Sequence, residues 1–452
     1  MRLRSSLWFW LALLIAIASS IAHAEPAMWK AGLAKTKITP EKPFWLAGYG
    51  HRDHPAEGTL HELWLKALVL EAPDGQRGVV VTSDLLGFPQ SMYEHIVAEL
   101  GRHGLARAQI MLTASHTHTG PVLRGALYDI YPLDDAQRAL IEDYSAVLEQ
   151  QVVETVTRAL AALAPATLHA GEGQAGFAVN RRNNREADVP GLRAQGVAPQ
   201  GPVDHGVPVL AIRAPHGDLR AVVFGYACHA TTLSFYQWSG DWPGFAQIAL
   251  EAKHPETFAM FYAGCGADQN PLPRRTVESC RQYGEDMAAS VDTVLAGPLR
   301  PIEPRLKTDF TLVDLAFDRP PTKEELDAAA RRGGYEGRWA QRLLAEMQQG
   351  TAFARSHPYP VQVWQLGRDQ LWIALGGEVV VDYARTLKQK YGPQTWVAGY
   401  TNDVMAYIPS HRVWQEGGYE AGAFAVYGLP TLRWQAGIED RILAAVAGLA
   451  GK

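Results

Sequence analysis

Two histidines one residue apart, His116 and His118 in Ser115-His116-Thr117-His118-Thr119-Gly120-Pro121, are the clearest chemical feature of this sequence. In an extended segment alternate side chains face the same side, so such a pair can turn two imidazoles toward one point. Imidazole suits zinc, and a catalytic zinc keeps three protein ligands with a further position open for water. The flanking Ser, Thr, Gly and Pro describe a tight polar turn rather than a solvated helix. A pair of polar loop histidines is the alternative, and the spacing alone leaves both open. His229, in Tyr226-Ala227-Cys228-His229-Ala230-Thr231-Thr232, and Glu378, after Gly376-Gly377, each follow an apolar run. Each alone reads as an ordinary core or loop residue. Together with His116 they would complete a zinc site of two His and one Glu.

The elements that must position these residues alternate between strand and helix. Apolar runs rich in β-branched and aromatic residues predict strands at 64–71, 78–82, 109–113, 207–212, 221–227 and 258–262. Helical patterns fall at 92–100, 136–163, 245–253 and 277–295, with a charged helix at 323–349 and a last one near 438–449. Further strands are read at 361–366 and 371–375. This alternation indicates an α/β fold, a mixed sheet flanked by helices. Asp84, His116, His229 and Glu378 all stand just after strands. Open α/β sheets bind ligands at the carboxyl edge of their strands, so one shared cleft is expected there.

At this point the motifs resemble those of the neutral ceramidases (the neutral/alkaline non-lysosomal ceramidase family). The likeness runs from Ala31-Gly32-Leu33 to about Tyr427. It passes through Ala47-Gly48-Tyr49-Gly50, Leu60-His61-Glu62-Leu63, Thr82-Ser83-Asp84-Leu85, the His-x-His segment, Cys228-His229-Ala230-Thr231, Gly377-Glu378, and the stretch from Asn402 to Glu420. The resemblance implies one zinc ion per chain, held by His116, His229, Glu378 and Tyr407. It implies that His118 contacts substrate as an acid, that Arg181 (or its neighbour Arg182) binds substrate, and that Tyr419 helps hold the scissile carbonyl. The implied activity is hydrolysis of the N-acyl amide of ceramide or a ceramide-like lipid.

These roles are chemically coherent. Zinc makes water a nucleophile at neutral pH, so no side-chain nucleophile is required. Arg181 and Tyr419 could stabilise charge growing on the carbonyl oxygen, an effect of roughly 3–4 kcal/mol per donor. His118 could then protonate the departing nitrogen. Two departures from the family pattern bear on substrate. Asn270, in Gly266-Ala267-Asp268-Gln269-Asn270-Pro271, stands where the family has a serine given a catalytic role; a carboxamide can donate or accept hydrogen bonds but is not a conventional nucleophile. The chain also stops at Lys452, so the further sandwich-like domain of the family is not expected. A zinc amidase or esterase acting on a non-lipid acylated substrate is the alternative, as is a metal-holding binding protein without turnover.

The ends and the composition set the context. Arg2 and Arg4, the apolar run from Leu7 to Ile21, and Ala22-His23-Ala24 follow the grammar of a secretory signal over residues 1–24. The run is short against the roughly 20 residues of a spanning helix. An exported protein, periplasmic or secreted, is therefore expected, with one hydrolase domain over residues 25–452 and at most peripheral membrane contact. A net charge of −5 with both signs interspersed argues against a nucleic-acid partner and leaves a small-molecule or lipid substrate. Three cysteines, Cys228, Cys265 and Cys280, are too few for a disulfide scaffold, although a Cys265–Cys280 bridge is compatible with export.

Overall fold

The computed structural model describes residues 28–451, so the signal read at residues 1–24 lies outside the described residues. The β-branched apolar runs form strands where expected: Trp64–Glu71, Arg77–Ser83, Ile110–Ala114, Gly206–Arg213, Leu219–Tyr226 and Phe258–Ala263. Most of their residues are buried, which is why they read as continuous apolar runs rather than alternating ones. With Trp29–Lys37, Ala164–Gln174 and Arg300–Ile302 they make one nine-stranded mixed sheet. Ala164–Gln174 carries no apolar run. Its glycines make room for the Val277–Ala296 helix, since a Cβ on Gly171 would stand 2.4 Å from Val294.

The order of the strands explains where a site can form. Ile110–Ala114 lies at one edge, parallel to Arg77–Ser83, and Phe258–Ala263 lies at the other, parallel to Leu219–Tyr226. The pairs between them are antiparallel. The sheet curls until the Phe258–Ala263 edge comes against Arg77–Ser83 and Ile110–Ala114. The carboxyl ends of the two parallel pairs therefore meet, and the chain beyond them is joined by a parallel bridge between Thr117 and Ala230.

A second sheet, Leu306–Ala316, Ser356–Leu366, Gln370–Leu375 and Trp396–Ala398, closes the seam between those edges. The Gly399 N–H donates to Ala263 O at 3.0 Å. Asn402 brackets Leu112 from the other side: its N–H donates to Leu112 O at 2.7 Å and its Oδ1 accepts from Leu112 N at 3.0 Å. Glu378–Val379 then pairs in parallel with Tyr407–Ile408, setting Glu378 opposite Tyr407.

Helices cover the outside. Asp135–Ala161 starts where Asp134 accepts the Gln137 N–H at 2.7 Å. It crosses the Trp29–Lys37 strand at Gly32, where a Cβ would lie 1.9 Å from Ala159 O. The charged helix expected over 323–349 is two helices, Lys323–Arg332 and Gly334–Gln348. Gly333 and Gly334, at φ 73° and 65°, stop the first and turn the chain into the second. All three cysteines are buried free thiols, so the Cys265–Cys280 bridge does not form: Cys265 packs in the core of the second sheet and Cys280 under the helices of the first. Among the described residues no helix is long and apolar enough to cross a membrane.

Candidate active site

His116 and His118 leave the Ile110–Ala114 strand through a sharp turn. His116 sits at φ 57°, a left-handed conformation that costs a non-glycine residue roughly 1–2 kcal/mol and aims its ring back across the strand end. Its Nδ1 meets Leu86 O at 2.7 Å, so Nδ1 carries the proton and Nε2 presents a lone pair. His229 repeats the device from the other strand end: its Nδ1 meets Gly266 O at 2.8 Å. The ligand atoms of His116, His118 and His229 all lie within 4.8 Å of one another, and all three rings are buried. Glu378 joins them, with Oε2 at 3.2 Å from His116 Nε2 and 3.0 Å from His229 Nε2.

This arrangement fits a metal ion. Two imidazoles with their outer nitrogens tied to backbone carbonyls, and a carboxylate at the same focus, are the donor set and the supporting bonds that zinc sites use. His118 differs in one respect. Its Nε2 is 3.1 Å from His116 Nε2, but its Nδ1 is buried without a partner. No backbone carbonyl fixes its tautomer as one does for His116 and His229, which suits a proton carrier better than a permanent ligand. The ring rests 4.8 Å from that of Tyr49 and against Gly48, at φ 103°, where a Cβ would come within 2.4 Å of Nδ1. Arg52, 3% exposed, donates to His118 O at 2.7 Å and holds that backbone in place.

The electrostatics follow from burial. Burial first, then the neighbouring imidazoles of His116 and His229, carries His118 well below the usual imidazole range. His229 is lowered to about 4 by burial, with Arg181 adding to the effect. Burial works to raise the Glu378 carboxyl, but the imidazoles of His116 and His229 outweigh it and hold it well below the usual carboxylate range. His118 and His229 are thus held neutral beside an ionised Glu378, the protonation states in which imidazole and carboxylate serve a divalent cation.

The other residues expected from sequence form the next layer. Tyr407 stands beside Glu378 in the strand pairing, and its hydroxyl accepts from Arg181 Nη2 at 3.3 Å. Arg181 is braced by Glu420, Nε to Oε1 at 2.8 Å, and lies 5.6 Å from the Tyr419 ring centre. Arg182 turns away to Glu416 and Gly417 O, so Arg181 is the arginine that faces the site. Tyr419 is 51% exposed, with its ring 5.3 Å from Tyr407, at the mouth of the cleft. Asn270 lies on a short strand paired with Val179, its Oδ1 3.5 Å from Thr231 Oγ1.

Four contributors were not legible as such. Tyr427 donates to Glu378 Oε1, which leaves Oε2 to the imidazoles. Glu420 braces both arginines, Arg52 holds the His118 backbone, and Tyr400 lies 4.3 Å from the His116 ring. Only Glu420 left a trace in sequence, as the residue after Tyr419 in a motif already singled out.

The family model of the neutral/alkaline non-lysosomal ceramidase, N-terminal, matches residues 29–266, more than half of the chain. The protein belongs to the neutral/alkaline non-lysosomal ceramidase family, a family of hydrolases. Solved structures similar to it include a ceramidase complexed with C2, at 18% identity and a TM-score of 0.69 over 94% of this chain and 76% of that one. The neutral ceramidase from Pseudomonas aeruginosa is similar at 19% identity and a TM-score of 0.69, over 94% of this chain and 75% of that one. These likenesses bear on the fold. Curated proteins gave no significant match.

Proposed function

We propose that this protein is a zinc-dependent amidohydrolase that cleaves an N-acyl amide bond, in ceramide or a ceramide-like lipid. The observation that carries the reading is the convergence of His116, His229 and Glu378 on one buried point, with both histidine Nδ1 atoms tied to backbone carbonyls. Family membership supports the hydrolase class. The apolar start of the sequence supports an exported enzyme, periplasmic or secreted.

A zinc ion held by His116, His229 and Glu378, with Tyr407 completing the set, would supply Lewis acidity and water activated at neutral pH. The chain's own groups do the rest. Arg181, kept charged by Glu420 and Tyr407 against its burial, faces the carbonyl oxygen together with Tyr419, where negative charge grows. His118, resting neutral, takes the proton released by water and passes it to the amide nitrogen. Water adds across the C–N bond: the carbonyl carbon gains the oxygen, the nitrogen leaves with the proton, and a carboxylic acid and an amine are released. Asn270 lies in the cleft wall as a hydrogen-bonding group, and this scheme asks no side chain to attack the carbonyl.

The test pairs metal analysis with hydrolysis of a labelled short-chain ceramide, in the wild type and in His116→Ala. Stoichiometric zinc and turnover in the wild type, both lost in the variant, are expected. Turnover by protein that holds no stoichiometric metal would sink the mechanism. A second substrate class, a non-lipid N-acyl compound, is favoured by the six charged side chains that line the cavity beside Tyr419.

A further inference from the structure

The Gly334–Gln348 helix contributes no donor to the metal focus, yet it holds the chain on both sides of it. Trp339 and Arg342, three residues apart, share one face of this helix. The Trp339 Nε1–H donates to Leu429 O at 2.9 Å, and Arg342 Nη2 donates to Gly428 O at 2.7 Å. These are successive carbonyls, and they directly follow Tyr427, whose hydroxyl donates to Glu378. The same guanidinium holds Asp129, with Nε at 2.9 Å and Nη2 at 2.7 Å from Oδ2, and Arg338 Nε donates to Asp129 O at 2.9 Å. Asp129 lies in the loop that runs on from the His-x-His segment to the Asp135–Ala161 helix.

Tyr427 needs this support because its own segment is weakly closed. Phe424–Tyr427 is a single short turn, and the bonds that end it, Gly428 N to Ala425 O at 3.3 Å and Leu429 N to Phe424 O at 3.2 Å, are long. From Gly428 to Gly437 the chain is loop. Gly428 sits at φ 70°, and a Cβ there would stand 3.1 Å from Arg342 Nη2 and 3.2 Å from Asp129 Oδ2. Glycine at this position therefore serves the backbone turn and the close approach of the guanidinium at once. A phenol carried on such a turn takes its place from whatever fixes the carbonyls after it, and here that is the helix.

We propose that Arg342 is a positioning residue for the metal site: it holds the Gly428 carbonyl, and through it Tyr427 against Glu378, with Trp339 as its companion on Leu429. The proposal rests on the zinc reading of the focus and deepens it, because it places part of the metal affinity in a helix that supplies no ligand. Arginine suits the task, since its planar fork of donors serves Asp129 and Gly428 O together. By the same bonds the helix ties the loop beyond His118 to the turn that steadies Glu378.

The test is a double-mutant cycle on the full chain: wild type, Arg342→Ala, Tyr427→Phe and the two together. Zinc affinity is read by chelator competition, and the fold of each metal-free protein is checked by thermal melting. Arg342→Ala is expected to weaken zinc binding about tenfold in the wild-type background, but about twofold or less in Tyr427→Phe, where the contact it serves is already gone. Glu346→Gln removes another partner of the same guanidinium, held at 2.7 Å by Nη1, and is expected to stay within about twofold of the wild type. Trp339→Phe keeps the ring packing and removes only the N–H to Leu429 O; it should weaken zinc about threefold, and it takes the place of Arg342→Ala in the cycle if that variant does not fold. An unmoved affinity, an equal loss with and without the Tyr427 hydroxyl, or a loss in Glu346→Gln as large as in Arg342→Ala overturns the proposal and leaves the zinc site standing. A wild type that binds no stoichiometric zinc removes the zinc reading and this proposal with it.

Discussion

The two walls of the site are held by different means. The imidazole wall grows from strand ends of the large sheet, and its rings are pinned to the backbone: His116 to Leu86 O and His229 to Gly266 O. The opposite wall comes from segments that follow the strands of the second sheet, with Arg181 added from beyond the short Ala178–Asn180 strand, and its polar groups are held mainly by other side chains. Glu378 depends on Tyr427, Tyr407 on Arg181, and Arg181 on Glu420. A ring tied to a carbonyl keeps its place when neighbours change. A side chain tied to a side chain moves with every substitution in its network. The first wall should therefore fail only through its own residues, and the second through its neighbours as well.

The largest effect tests the first wall. His229→Ala removes one of the converging donors, so zinc content and amide hydrolysis should both fall by about a thousandfold or more, measured by chelator competition and turnover. Hydrolysis within tenfold of the wild type would deny His229 a ligand role.

Asp268 ties the two walls together, its Oδ1 accepting from Val381 N at 2.9 Å while its backbone O holds the Arg181 N–H at 2.8 Å. Burial raises its carboxyl from 3.8 to about 6. Between those values the unfolded chain has lost the proton that the folded chain keeps, so Asp268 contributes less stability as pH rises through that window, and the loss levels off above it. Chemical denaturation of the wild type and Asp268→Asn at a series of pH values should show the difference between them shifting against the wild type by about 3 kcal/mol at most. A difference that does not change between pH 4 and pH 6 would mean that Asp268 titrates normally.

Tyr427→Phe probes the second wall without touching a proposed ligand. With Glu378 Oε1 released, zinc affinity should weaken about 10- to 100-fold, read by chelator competition. An unchanged affinity would erase the contrast between the walls. The smallest effect is expected from Glu420→Gln, which loosens Arg181 and Arg182 together. Here kcat should fall about tenfold with metal content retained. Metal loss in that variant would show that the network extends to the focus itself.

The sequence exposed the first wall far better than the second. His116 and His229 follow buried apolar strands, and strand ends are visible as the stopping points of such runs. Glu378 was legible for the same reason. The curl of the large sheet, which brings two distant strand ends together, has no local signature. Nor has the contact between Tyr427 and Glu378, because a phenol reaching a carboxylate from a distant loop leaves no spacing to read. Ala164–Gln174 was missed because its glycines and polar residues answer to a helix packed above it rather than to strand propensity. The break at Gly333-Gly334 was missed as well: a charged helical pattern continues on both sides of the two glycines, and it outweighed them in the reading of one helix over 323–349.

His229 and Glu378 stand 149 positions apart, His229 beyond a strand of the large sheet and Glu378 on the short strand paired with Tyr407–Ile408, just after the second sheet's Gln370–Leu375. A contact of that separation closes a long loop and forms only after both sheets have taken shape, so the focus is among the last features to appear as the chain folds. An ion bound there would favour the docked state over any in which the seam is open, by an amount that grows with its free concentration. Chelation should then raise amide exchange along Trp396–Ala398 and the loop to Asn402, the strip that closes the seam, before it affects the interior of either sheet.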